Sequence, residues 1–157
     1  MAYQKLQASR ALVVYTSDTI NIPNPAGAGI SSTTTGTAAG KLIDTTQDFI
    51  AAGVKRGDII YSAGPIVATV TAVDSATQLS VTTAGFGASR PYTLYNTPDI
   101  PNNGAVLYVG VAGDVDVITA GGDEVTFTGV LAGSFIPVQV TRVKDTSTTA
   151  SGIIALW

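Results

Sequence analysis

The chain contains no cysteine and no histidine. Without cysteine there is no disulfide framework, no thiolate nucleophile and no thiolate-held zinc or iron–sulfur centre. Without histidine there is no imidazole base, which removes Ser-His-Asp and Cys-His schemes and HExxH metal sites. Charge is scarce as well: 12% of the 157 residues are charged, about half the usual quarter. Eight Lys and Arg stand against eleven Asp and Glu, a formal net charge of -3. Affinity for nucleic acid comes from clustered cations, and these bases are scattered, so no nucleic-acid partner is expected. The apolar run at 11–15 is too short for a signal-peptide core, and no run approaches a bilayer span. Neither a targeting segment nor a membrane partner is expected.

What is present favours strands. Val, Ile, Thr and Tyr occur in short runs broken by Gly, Asn, Asp and Pro, the pattern of an all-β protein. Strands are predicted at 11–16, 58–62, 66–73, 79–83, 92–95, 105–111, 115–119, 124–128, 135–143 and 152–157. Val125 and Phe127 alternate with Glu124, Thr126 and Thr128, and Val138, Val140 and Arg142 alternate with Gln139, Thr141 and Val143. One stretch departs from this. Asp44 to Gly53 offers a capping side chain, an acidic first turn, an apolar face and a glycine stop, predicting a short helix or single turn with Gly53 left-handed. The uncharged polar surface implied by many Thr, Ser, Asn and Gly residues lets copies approach closely, which favours self-association.

Two Pro/Gly/Asn-rich stretches, 21–29 and 96–104, bracket a middle segment. Residues 1–25 and 98–157 are expected to form one discontinuous β domain, with 26–40 a connector and 41–97 an inserted module. The predicted fold is therefore a small β-sandwich or barrel domain interrupted by a small β-barrel-like module with one short helix. Insertion at a surface turn is tolerated because loop-closure entropy grows slowly with length.

Candidate chemistry is thin. Gly36-Thr37-Ala38-Ala39-Gly40-Lys41-Leu42 is one residue short of a phosphate loop and has Leu42 where a magnesium-binding hydroxyl is needed. Asp114 and Asp116 share a strand face, with Asp123 and Glu124 after the Gly121-Gly122 turn, but Ile118 stands where a calcium loop needs oxygen. Tyr61, Tyr92, Tyr95 and Tyr108 have strand spacing and are expected to fill core or hairpin faces rather than a sugar cleft. No catalytic residue, cofactor or metal is expected. The terminal Ile153-Ile154-Ala155-Leu156-Trp157 is apolar to its last residue, so it should pair in a sheet with Trp157 against the core or a neighbouring subunit.

The C-terminal third carries a resemblance. Ala105-Val106-Leu107-Tyr108-Val109-Gly110, Gly113-Asp114-Val115, Ala120-Gly121-Gly122-Asp123-Glu124-Val125-Thr126-Phe127, Leu131 through Val140, Arg142-Val143 and Thr148 through Trp157 together resemble a small β domain of tailed-phage and gene-transfer-agent virion proteins. That family includes proteins described as head spike bases. Thr16 through Pro23 is similar to the N-terminal piece that members ordinarily join almost directly to the Tyr108-Val109-Gly110 strand; here some seventy residues intervene. Within them, Lys41-Leu42-Ile43-Asp44, Asp48-Phe49, Gly53 through Asp58 and Ala68 through Leu79 are similar to a module recurring in phage structural proteins.

The resemblance implies a non-enzymatic capsid decoration (cement) or head-spike-base protein on the outer surface of the phage head. Its partners would be the major capsid protein, further copies of itself (a trimer first, a pentamer second) and a fibre protein. Candidate interface residues are Tyr3, Leu6, Arg10, Lys55, Arg56, Phe86, Arg142 and Trp157. The alternative is a receptor- or glycan-binding module of a tail or fibre, which would need an exposed aromatic patch from Phe86, Tyr92 or Tyr95.

Overall fold

The computed structural model describes residues 8–157. It is nearly all β, with two antiparallel sheets, one of them a half-barrel. The strands in chain order are β1 (Ala11–Val13), β2 (Ala28–Thr33), β3 (Lys41–Ile43), β4 (Ile59–Ser62), β5 (Ile66–Ser75), β6 (Gln78–Val81), β7 (Pro91–Tyr95), β8 (Ala105–Tyr108), β9 (Gly113–Thr119), β10 (Glu124–Val130), β11 (Phe135–Val143) and β12 (Ile154–Leu156). The chain divides into two compact units: Met1–Pro25 with Asn102–Trp157, and Ala26–Pro101.

In the discontinuous unit the strand order is β1-β12-β8-β11-β9-β10. The chain's last strand therefore lies between its first strand and β8, so both ends of the sequence are needed to complete the sheet. Trp157 extends the pairing: its carbonyl accepts from the Ser9 and Arg10 N–H groups at 2.6 and 3.2 Å, and its own N–H donates to Arg10 O at 3.0 Å. Leu12, Ala155, Leu107 and Ile136 stand in register across four strands and point into a core with Val109, Val115, Val117, Val140, Val143 and Ile153. Trp157 packs partly buried against the same core and donates its indole N–H to Asn102 Oδ1 at 3.2 Å.

Two local features shape this sheet. The predicted alternation through 138–143 fails, because β11 shifts register against β9 between Val140 and Arg142. The bulge places Val140 and Val143 together in the core and leaves Thr141 and Arg142 half-buried. Val125 and Phe127 do share a face, standing opposite Val117 and Val115. At Gly113 a side chain has no room: a Cβ there would run into the Ala150 backbone nitrogen.

The inserted unit has the order β2-β7-β4-β5-β6-β3. Its row of strands curls back on itself: the Thr35 N–H donates to Ile43 O at 2.8 Å, and Gly36 bridges Ile43. Residues 26–40 are thus no connector. They carry β2 and the segment that meets β3, and the polar Ser/Thr character of 31–35 belongs to an edge strand facing solvent on one side. The core holds Leu42, Phe49, Ile60, Val70, Leu79, Phe86, Tyr92 and Leu94.

Of the short helix or single turn expected at 44–53, the structure has turns and no helix. Asp48 caps the turn, its Oδ1 accepting the Ala51 N–H at 2.9 Å, and Gly53 is left-handed at φ 73° as expected. However, the N–H groups of Asp44 and Phe49 donate to Thr77 O and Ala76 O in the β5–β6 turn. Donors committed across the unit cannot serve an i→i−4 ladder, so the stretch stays a series of turns. The only helical element among the described residues is a 3-10 turn at Pro25–Gly27.

Candidate interface surfaces

Of the candidate interface residues, Tyr3 and Leu6 lie outside the described residues. Arg10 and Trp157 are neighbours through the backbone pairing above. Arg142 is committed internally: Nε donates to Asn21 Oδ1 at 2.9 Å and a terminal nitrogen to Asp18 O at 3.0 Å, tying 18–21 to the sheet. Asp18 in turn accepts from the Asp145 and Thr146 N–H groups and the Thr146 hydroxyl, and these bonds, Thr146 foremost, hold its carboxyl below the usual range.

Lys55 and Arg56 lie together on an exposed turn of the inserted unit, where Lys55 pairs with Asp99. Exposed Ile50 and Ile100 belong to the same unit. Phe86 offers no surface. It is 1% exposed and packed in the core of the inserted unit, with its backbone N–H donating to Lys41 O at 3.0 Å. Tyr92 and Tyr95 are buried too, Tyr95 edge-on to Tyr61 at 5.7 Å between ring centroids. The aromatic patch that a glycan-binding reading required is therefore interior.

Asp116 is buried beneath Lys144, whose ammonium lies 3.9 Å from Asp116 Oδ2 and pairs more closely with Glu124; Asp116 Oδ1 has no hydrogen-bond partner among the described residues. Asp114 Oδ1 accepts the Gly129 N–H at 2.7 Å, and Asp123 closes the β9–β10 turn with Thr119, where Gly122 adopts φ 93°. No group of three or more acidic side chains among the described residues is arranged to hold a metal. Lys41, from the glycine-rich stretch, is bound to Asp74 at 2.8 Å and Ser80 at 2.6 Å.

Two buried carboxylates in the barrel have opposite surroundings. Burial pushes Asp44 up, but the Thr46, Ser32 and Tyr92 donors outweigh it and leave the carboxyl below its usual range. Burial pushes Asp58 up, and the Lys55 N–H at 3.0 Å does not offset it.

Sequence reasoning missed an exposed apolar sheet face. In the discontinuous unit Val13, Ile154, Tyr108 and Phe135 stand directly opposite one another across β1, β12, β8 and β11. Residues paired in register project to the same side, and this side is opposite the buried Leu12–Ala155–Leu107–Ile136 row. A second outward row holds Ala11, Leu156 and Val106. Val13 is 54% and Phe135 60% exposed, while Val111 (56%) and Leu131 (72%) follow in the adjoining segments. Phe135 meets Tyr108 edge-on at 5.4 Å between centroids. The signal was in the sequence: these strands read apolar at successive positions, not alternately, so both faces are hydrophobic. On β9 and β10 the same side turns polar, with Asp116 opposite Thr126.

No protein-family model matches the chain, and no curated protein or solved structure matches it significantly.

Proposed function

We propose that this chain is a non-enzymatic structural protein of a tailed-phage particle, a capsid decoration or head-spike-base protein that works by contact on the outer surface of the head. Its partners are the major capsid protein, further copies of itself (a trimer first, a pentamer second) and, in the spike-base role, a fibre protein.

What supports this reading is the uncharged apolar half-face of the discontinuous unit. A sheet face that exposes Val13, Phe135 and their row-mates is unfavourable in water, and surfaces of this kind mark contact with other proteins. Lys41, Lys55 and Lys144 are held in ion pairs with Asp74, Asp99 and Glu124. A shell multiplies modest contacts, so weak single-site binding becomes firm attachment by avidity.

Counting copies per particle in purified virions by quantitative mass spectrometry tests the proposal. Hundreds of copies support decoration and a few tens support a spike base. A handful would move the protein to the tail, and absence from particles would overturn the reading.

A further inference from the structure

We infer that the outward apolar half-face of β1, β12, β8 and the start of β11 is the surface on which a second copy of this chain docks, face to face. The inference rests on the contact-protein reading above and names the surface through which copies meet.

The chemistry of the face restricts its occupant. Ala11, Val13, Val106, Tyr108, Phe135, Ile154 and Leu156 bring no charge, and only the Tyr108 hydroxyl can hydrogen-bond. A glycan would find almost no polar partners there, and a nucleic acid would find no cation. A charged protein surface would lose its hydration without compensation. The face suits a surface as apolar and neutral as itself, and the same face on another copy has that character. In a chain with 12% charged residues, two copies meet without like charges being forced together at the contact.

Geometry sets the strength. Four strands about 4.8 Å apart, paired over Val106 to Tyr108 and continued by exposed Val111 and Leu131 in the adjoining segments, give a patch of about 400 Å² per copy when two sheets pack about 10 Å apart. The total of about 800 Å² is below the usual size of a specific interface. A single pair is therefore weak and concentration-dependent, and it becomes firm where a shell holds copies close together. Because the same patch is used on both copies, the contact is isologous and generates a two-fold pair. A trimer or pentamer needs another surface, and the face described here would link one such ring to the next.

The cysteine-free chain makes the test direct. Sedimentation of the full chain over a rising concentration series should show mass above the monomer. In Phe135→Asp and Val13→Lys, which lie at opposite ends of the exposed row, the concentration for association should rise at least about tenfold. Thr126→Asp on the polar half should leave it unchanged, with circular dichroism confirming that each variant is folded. As a second measurement, Tyr108→Cys, near the middle of the face and so near the two-fold axis, should give interchain cross-links under oxidation that Thr126→Cys does not. Association unchanged in both face variants, or cross-linking equal at both cysteine positions, would overturn the inference while leaving the contact-protein reading intact. A wild-type chain monomeric at every concentration would also overturn it. The copy count per particle judges the broader reading separately.

Discussion

Replacing Tyr92 with Phe tests the hydrogen bond that joins two sides of the barrel. The Tyr92 hydroxyl, on β7, donates to Asp44 Oδ2 at 2.9 Å, just beyond the end of β3, and both residues are buried. Burial and the neighbouring carboxylate push the Tyr92 phenol far above its ordinary range, so it remains a donor. Tyr92→Phe keeps the ring and opens no cavity, so its effect is the loss of one bond to a charged acceptor. Such bonds contribute about 1.5–3 kcal/mol. Thr46 still donates twice to Oδ1, through its N–H at 2.9 Å and its hydroxyl at 2.6 Å, which favours the middle of that range. We expect a loss of about 2 kcal/mol, or about 10 °C in Tm for a unit of this size.

The loss should depend on pH. Asp44 has a folded pKa below its unfolded value, so its stabilisation is present above the ordinary carboxylate range and fades as pH falls through the folded value. Removing one donor raises that folded value. The gap between wild type and variant is then widest near neutrality and narrows in acid. Urea unfolding followed by circular dichroism at about pH 7 and about pH 3 measures both. A loss below about 0.5 kcal/mol, or one equal at the two pH values, would refute the reasoning.

Asp58→Asn should act in the opposite sense. Burial makes the folded state hold the Asp58 proton more tightly than the unfolded chain, so its charge weakens folding increasingly as pH rises above the ordinary range; the variant should gain about 1 kcal/mol near pH 7, less in acid, by the same urea assay. Trp157→Ala removes a partly buried ring from the discontinuous unit's core and should lower stability by about 2–3 kcal/mol, read by circular dichroism because the only tryptophan is gone. Gly113→Ala forces a methyl group against the Ala150 backbone, which has no rotamer to yield, and should destabilise by about 2 kcal/mol or more in thermal melts. Calcium should leave the wild-type Tm unchanged, since the Lys144 ammonium already stands against both Asp116 and Glu124; a calcium-dependent rise that is lost in Asp116→Asn would show a site there.

Composition and pattern alone determined that this is an all-β protein built from short strands, that thiol and imidazole chemistry are absent, and that the apolar C-terminal strand must be paired. These are local or compositional properties: β-branched runs, turn residues and missing residue types act wherever the chain goes. The left-handed Gly53 and the hairpin glycine Gly122 were legible for the same reason, because a turn's backbone requirement is met by the residue in it.

Other features depend on partners distant in sequence. The helical signal at 44–53 yielded to N–H donors taken by residues 76 and 77, and the strand alternation at 138–143 yielded to a bulge set by pairing with β9. Tyr92 and Tyr95 fill core positions as their strand spacing indicated, but Phe86, offered by the sequence as an interface residue, became core, and residues 28–33 became a strand because β7 offered them a ladder. The neutral outer row was spelled in four separate runs of apolar residues, at 11–13, 105–108, 135–137 and 154–156. Only cross-strand register brought Val13, Ile154, Tyr108 and Phe135 into line, because side-chain direction in a sheet is decided by which residues face each other across the ladder.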